Sequence, residues 1–333
     1  MHWGNNLKRL QVDMTSYCNA KCGACARNLQ GGQTLPGLKL QHFSLDVWEK
    51  LAQDTAGKIN QLYLNGNWGD PGMHPHLIPM METWIKYHKK SDIVICTNGS
   101  MHKPDWWGEL AMVLNGYRHR VQVSIDGIGN DHALYRRNTD YNCIIENFKK
   151  FNANGGNSEW RMTLWDYNLK YIDKAKALAT MLGFCWFSTR RNHSPNGTCM
   201  MHDDKGNYEY TIKSNEAKNV SLITESLPTL EYRQNARTHQ DSHNESRCPW
   251  YNMSEVQIDP FHKVWPCCNI SIYGIPEYQE TEFDRNELPS NDFNSLEKHS
   301  IYDILEHHWY NNTLSNAIDN ASYEVCRNNC SLR

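Results

Sequence analysis

Residues 17–25 read YCNAKCGAC and place Cys18, Cys22 and Cys25 at the spacing C-x3-C-x2-C on one short loop. The loop directly follows an alternating run, residues 10–14, that reads as a strand. Three thiolates so close together can wrap three corners of a cubic iron–sulfur cluster, whose protein ligands are cysteine sulfurs. The next cysteine is Cys96. The fourth iron would therefore stay open, as a metal does where it carries out chemistry rather than holding a fold. On spacing alone two other readings stand beside this one: a zinc site completed by a distant histidine, and a chance grouping among twelve cysteines.

The chain has 333 residues, enough for one large or two ordinary domains. Lys and Arg number 34 against 37 Asp and Glu, a net charge of -3, so charge gives no reason to expect a nucleic acid or a membrane surface as partner. The first residues lack the apolar core of a secretory signal, and no apolar run approaches the ~18 residues of a membrane span. Cysteines without an export signal point to reduced thiols and metal rather than disulfides. The expectation is a cytoplasmic protein.

Strand-like runs at 10–14, 61–64, 92–96, 120–125, 159–165 and 184–188 alternate with helix-like stretches at 44–56, 76–89, 105–114, 141–154 and 169–182. Ser44 is placed to cap the first helix, and Gly183 to stop the last. Such alternation predicts a parallel sheet with helices outside it, and leaves an open doubly wound sheet and a barrel as alternatives. From 190 to 247 the chain turns polar and loses periodicity, as a linker, a lid or a disordered excursion would. A hairpin-like pair, 255–258 and 263–265, flanks the turn DPFH, a helix candidate covers 300–308, and a cysteine pair closes the chain.

In parallel α/β architectures ligands bind at the carboxyl ends of strands. The cysteine loop follows the first strand, NGNWGDP (65–71) the second and TNG (97–99) the third, and the fourth ends in SIDG (124–127). Ordinary turn chemistry accounts for any one of these alone. Together with the cysteines they look like one site assembled from separate loops.

The cysteine loop resembles the signature of the radical S-adenosylmethionine (radical SAM) superfamily. That resemblance implies a four-iron cluster, 4Fe-4S, on Cys18, Cys22 and Cys25, whose open iron is chelated by SAM. It implies that the backbone and acidic side chain of Gly69, Asp70 and Pro71 meet the SAM amino group, with Asp where Glu is commoner, so that a backbone contact is the firmer expectation. Asn98 belongs to the same row of strand ends. Ser124 and Asp126 match a motif whose hydroxyl and carboxylate meet SAM, and Arg136 matches an arginine that pairs with the SAM carboxylate. Taken by itself, Arg136 also reads as a solvated helix charge. The family's aromatic residue before the third cysteine is replaced by Ala24, for which Tyr17 or Trp68 would compensate.

The last section carries Cys248, Cys267, Cys268, Cys326 and Cys330. It resembles the SPASM or shorter twitch domains of radical SAM enzymes, which hold an auxiliary cluster and open with C-x9-15-G-x4-C. Five residues before Cys267 stands His262, in the turn where Gly is usual, with 13 residues between Cys248 and His262. Cys268 also satisfies the spacing, through Lys263, but the turn favours Cys267. Cys248, Cys267, Cys326 and Cys330 then make one cluster's worth of ligands, and a structural zinc site is the competing account. Cys96, Cys143 and Cys185 read as small core hydrophobes, and Cys199 as a candidate hydrogen donor from the polar segment.

The fold expected is α/β, a partial (β/α)6 TIM-type barrel over residues 1–195, a polar linker or lid over 196–245, and a small α+β auxiliary-cluster domain over 246–333. The function implied is a radical SAM oxidoreductase or maturase. It would cleave SAM reductively to a 5′-deoxyadenosyl radical and abstract hydrogen from a peptide or small molecule. Two 4Fe-4S clusters, SAM and a flavodoxin- or ferredoxin-type reductant go with that reading. The competing class is a non-catalytic, metal-stabilised electron-transfer or binding protein, which would be expected to close its cluster with four cysteines.

Overall fold

The computed structural model describes residues 2–192, 194, 197–229, 248–272, 288–290, 292–320, 322–323, 326–327 and 330. Of the polar segment expected at 196–245, residues 196 and 230–245 lie outside these.

Six strands alternate with five helices: β1 (Arg9–Asp13), β3 (Gln61–Asn65), β4 (Asp92–Thr97), β5 (His119–Ser124), β7 (Ser158–Leu164) and β8 (Trp186–Arg191), with α1 (Leu45–Asp54), α2 (Leu77–Tyr87), α3 (Pro104–Leu114), α4 (Tyr141–Ala153) and α5 (Ile172–Met181) between them. Two-residue strands, β2 (Lys21–Cys22) and β6 (Arg136–Arg137), pair with each other outside this series. The six long strands run parallel and stand in chain order, each joined to the next through one helix. The order never reverses, as it would in a doubly wound sheet, and this is the arrangement of a partial TIM-type barrel.

The period of two within each strand explains why the sheet has two different faces. Leu10, Val12, Leu62, Leu64, Ile93, Ile95, Val121, Val123, Trp160 and Met162 are buried in one continuous apolar core with the helices. Trp48 of α1 packs on Trp84 of α2 with ring centroids 5.4 Å apart, and its indole N–H donates to the Met80 carbonyl at 2.8 Å. Each such fully buried side chain contributes about 1.5–3 kcal/mol. The alternate residues Tyr63, Asn65, Cys96, Gln122, Arg161 and Thr163 line a cavity instead.

The last strand shows the one clear displacement from the sequence reading. It spans Trp186–Arg191 rather than 184–188, because Phe184 still hydrogen-bonds back to Ala179 at the helix end, while Thr163 and Leu164 of β7 pair with Arg190 and Arg191. Beyond it, β9 (Thr198–His202) and β10 (Tyr208–Lys213) form an antiparallel hairpin, and β11 (Thr224–Ser226) pairs antiparallel with β8. On the other edge β12 (Glu255–Ile258) lies parallel to β1, and β13 (Val264–Trp265) folds back on β12. Short helices follow: α6 (Pro249–Asn252) before this pair, then α7 (Cys268–Ile272), α8 (Ile301–Glu306) and α9 (Ser315–Asp319). Among the described residues no helix is long and apolar enough to cross a membrane.

Candidate active site

The cysteine loop leaves β1 and is pinned from three sides. Asp70 donates its backbone N–H to the Tyr17 carbonyl at 2.9 Å. At Gly69 an added Cβ would lie 2.2 Å from the Thr15 carbonyl oxygen and 2.6 Å from that of Tyr17, so only glycine lets the second strand-end loop approach this closely. At Gly23 a Cβ would meet the Met201 sulfur at 2.2 Å and the Cys199 sulfur at 2.6 Å, which places the β9–β10 hairpin against the outside of the loop. Two ion pairs, Lys21 with Asp204 and Arg137 with Glu209, tie that hairpin down. Cys199 packs with Cys22, Tyr135, Trp165 and Met201 and does not line the cavity, whereas Cys18, Cys22 and Cys25 all do.

Burial pushes the Cys22 thiol up to about 11, and it raises Cys18 and Cys25 as well, with neighbouring Cys22 and Asp70 adding to the rise at Cys18. A metal ligand must be a thiolate, so an occupant that brings positive charge is what would turn these three groups into ligands.

Arg136 reaches the same place from far along the chain. The β2–β6 pairing sets it opposite Cys22, with Nη1 3.8 Å from the Cys22 sulfur. Its Nε donates to Asp126 Oδ2 at 2.6 Å, and its Nη2 is buried without a hydrogen-bond partner among the described residues. Asp126, fully buried, accepts the Thr163 backbone N–H on its other oxygen, and its backbone carbonyl accepts from Tyr167 and Asn168. Asp126 therefore stands behind Arg136 and is absent from the cavity wall. Ser124 does line the wall, and its hydroxyl has no partner among the described residues.

Asp70 also lines the cavity, but its carboxylate is taken up within the protein. It accepts from Gly72 N–H at 3.0 Å, Thr97 hydroxyl at 2.8 Å, and Asn98 backbone and side-chain N–H at 2.7 and 2.8 Å. Burial raises its pKa and these bonds oppose the rise. The acid thus locks two strand ends together. Asn98 passes the link on, to Asn19 Oδ1 at 2.8 Å and toward the Cys18 sulfur at 3.9 Å. Pro71 opens a short turn behind Asp70 and is not on the wall. Trp68 is on the wall, while Tyr17 stacks on His42 at 4.5 Å and is not.

The cavity has a volume of about 430 Å³, within the usual range for a small-molecule site. Its wall includes residues that the sequence reading did not single out: Tyr63, Gln122, Tyr135, Arg161, Thr163 and Arg190. Cys96, expected to be an inert core thiol, is on the wall too, with its sulfur 3.1 Å from the Tyr63 hydroxyl and 3.0 Å from Gln122 Oε1.

The C-terminal cysteines gather at the edge where β12 joins the sheet. Cys267 and Cys326 are buried, and Cys330 donates its backbone N–H to the Cys326 carbonyl at 3.0 Å. Burial raises the Cys267 thiol, with charges on Cys268, Cys248 and Cys326 adding to it; Cys326 is pushed up to about 12 by burial, with Cys248 and Cys330 adding. Cys268 is also pushed up to about 12, by burial and then by Asp13 and Glu255, carboxylates on the sheet side. Cys330 adds to the rise at Cys268, and Cys268 is the first neighbouring charge at Cys267, so Cys268 belongs to the same group of thiols while also lying beside these carboxylates. His262 sits at φ 65°, the left-handed region that favours glycine, and its ring clamps the turn by accepting from Ser44 N–H at 2.9 Å and meeting Glu297 at 2.7 Å. Among the described residues no three His, Cys, Asp or Glu side chains converge tightly enough to hold a single ion. Zinc at ~2.3 Å from each thiolate would draw the sulfurs to about 4 Å from one another.

No protein-family model matches the chain, and no curated protein does. Solved structures do. SuiB of Streptococcus suis bound to S-adenosylmethionine superposes at a TM-score of 0.57 and 14% identity, over 97% of this chain and 72% of its own. The anSMEcpe protein with bound AdoMet superposes at 0.58 and 14% identity, over 91% and 78%. Low identity over nearly the whole length is a likeness of fold: this chain shares the fold of these two S-adenosylmethionine-bound proteins, the partial TIM-type α/β barrel expected above.

Proposed function

We propose that the protein is a radical SAM enzyme whose cluster is held by Cys18, Cys22 and Cys25. The observation that carries this is Arg136: a permanently charged side chain fixed by Asp126, with a buried, unpartnered Nη2, on the wall that all three cysteines share. A guanidinium fork left open in this way suits a carboxylate, and SAM has one. When bound, the cluster supplies the electron that cleaves SAM to methionine and a 5′-deoxyadenosyl radical. Arg136 would orient the carboxylate, and the Ser124 hydroxyl would offer a further polar contact. The Asp70 carboxylate would hold the loops rather than touch the cofactor, leaving contact with the amine to the backbone of Gly69–Pro71. Trp68, with Tyr63 and Tyr135, gives the wall aromatic surface where the loop itself has Ala24.

Cys248, Cys267, Cys326 and Cys330 would hold a second 4Fe-4S cluster that takes an electron from substrate or shapes the substrate pocket. The positive φ at His262 supports Cys267 as the ligand of the adjacent pair, since it is the spacing through His262 that puts a glycine-type turn in the motif. A flavodoxin- or ferredoxin-type protein would supply electrons. SuiB has been solved with its precursor peptide SuiA and anSMEcpe with the Cp18Cys peptide, and this favours a peptide among the candidate substrates.

The test is anaerobic reconstitution followed by iron and sulfide analysis and chromatography for 5′-deoxyadenosine. Dithionite and SAM should give 5′-deoxyadenosine with the native protein and none when the three loop cysteines are replaced by Ala. Zinc alone, with no iron-dependent absorption, would refute the assignment.

A further inference from the structure

The charged residues on the cavity wall are unbalanced. Among the described residues they are Arg136, Arg161, Arg190 and Arg191 against the single carboxylate of Asp70. Asp70 is saturated by protein donors, and Arg136 is paired with Asp126. The other cations lie on β7 and β8, across the sheet from the cysteine loop that follows β1. Arg161 donates to Gln122 Oε1 at 2.7 Å and lies 3.5 Å from Glu159, but that one carboxylate also serves Arg120 at 3.2 Å. Arg190 donates its Nε to Thr163 Oγ1 at 3.0 Å, and among the described residues no carboxylate lies within ion-pair distance of it. The charges of Arg161 and Arg190 both act on the Cys96 thiol, so the two guanidinium groups share one stretch of wall.

From this geometry we infer that the substrate presents an anionic group, carboxylate or phosphate, to Arg161 and Arg190. The inference rests on the enzyme reading above and deepens it by naming the chemistry of the substrate's recognised end. Arg190 is aimed by its bond from Nε to Thr163, which leaves both Nη groups for a ligand, and a planar fork of this kind binds either oxyanion with paired hydrogen bonds. Arg161 adds a second cation only partly neutralised by a shared Glu159. An anion placed here is held opposite the cysteine loop, so the rest of the substrate would extend back toward it. An uncharged or cationic end would leave at least one guanidinium in a confined cavity without a counter-charge, which is costly.

The experiment is calorimetric titration of the reconstituted, SAM-saturated protein with inorganic phosphate and, separately, with glutarate, at fixed ionic strength. Native protein should bind at least one of them saturably, and the preferred probe tells phosphate from carboxylate. Arg190→Gln and Arg161→Gln should each weaken that binding roughly tenfold or more, the loss expected for a charge-assisted hydrogen bond, with circular dichroism checking that each variant is folded. Absence of saturable binding to the native protein, or unchanged affinity in both variants, would overturn the inference. So would anion binding that SAM abolishes, since the anion would then occupy the cofactor's own carboxylate position. The same titration on protein without cluster or SAM separates the two proposals. Arginine-dependent anion binding there, together with failure of the reconstituted protein to form 5′-deoxyadenosine from SAM and dithionite, would refute the enzyme assignment and leave the anion site standing.

Discussion

Arg136 lies directly opposite Cys22 in the two-residue β2–β6 pairing, 3.8 Å from its sulfur, and is held there by Asp126 at 2.6 Å. A charge is thereby placed beside the cysteine loop by residues more than a hundred positions away. The pair is buried, so its parts are not interchangeable. Removing one partner of a buried ion pair costs about 3–5 kcal/mol because the other charge is left uncompensated. Asp126→Asn should therefore lose stability on that order in chemical denaturation and weaken SAM binding as well. Arg136→Lys keeps the charge but loses the fork. It should hold stability far better yet bind SAM about 1.5–3 kcal/mol more weakly by calorimetry. Native affinity in Arg136→Lys would show that the open Nη2 does not meet the cofactor.

His262 bears on the choice between adjacent cysteines. Its φ of 65° and its ring contacts to Ser44 and Glu297 make the turn before β13 a fixed, glycine-like corner. The Cys267 thiol is raised by neighbouring Cys268, Cys248 and Cys326, and the Cys268 thiol by Asp13 and Glu255 ahead of Cys330. Cys267→Ala should lose the second cluster's iron and sulfide, and Cys268→Ala should retain them. Elemental analysis giving the reverse pattern would overturn the ligand assignment.

Asp13, at the end of β1, gives a pH dependence. Burial raises its carboxyl to about 8, opposed by the Asn67 N–H bond and aided by nearby Asp259. Between the unfolded value of 3.8 and about 8, the folded protein holds more protons than the unfolded chain, so stability falls as pH rises through this window and levels off above it. Asp259, raised to about 6, acts in the same sense at lower pH, while His74 and His88, held down to about 4, act oppositely until the unfolded histidines lose their protons. From pH 7 to 8 the slope from Asp13 is at most about 1.4 kcal/mol per pH unit. The buried thiols, raised from 9.0, begin to add in the same sense toward pH 8, so the difference between native protein and the Asp13 variant is what isolates Asp13. Gln257 Nε2 lies 2.6 Å from Asp13 and its Oε1 is buried without a partner among the described residues, so turning the amide over would let Oε1 accept the Asp13 proton. Asp13→Asn should flatten the fall in urea midpoint from pH 7 to 8. An unchanged slope would mean Asp13 is ionised in the folded protein.

Much of this was legible in local pattern. The strands and helices of the barrel follow period and capping, down to Ser44, whose hydroxyl caps α1. The strand-end loops were visible as turn chemistry, and all of them converge on one cavity. What local pattern does not carry is pairing across the chain. Nothing near Asp126 says that its carboxylate turns to Arg136 rather than to a ligand, and nothing near Asp70 says that Thr97 and Asn98 consume its oxygens. Arg161 and Thr163 alternate with Trp160, Met162 and Leu164, so the polar inner face of β7 was readable. At β8 the apolar run 184–187 masked the same signal, and Arg190 went unnoticed.

The final prediction separates generating the radical from using it. The groups proposed to meet SAM, the backbone of Gly69–Pro71, Ser124 and Arg136, all lie before the midpoint of the chain. The C-terminal cysteines reach the barrel through β12, on the far side of β1 from β3. A Cys326→Ala, Cys330→Ala variant should then lose the second cluster, keep the first, and still form 5′-deoxyadenosine from SAM with dithionite, while failing to convert its substrate. Because β12 is paired with β1 over four residues, loss of cluster ligands could loosen the barrel edge. Circular dichroism and iron content must accompany the assay for that reason. A folded double variant that keeps its first cluster but no longer cleaves SAM would show that the second cluster feeds electrons to the first or supports the SAM site through β1.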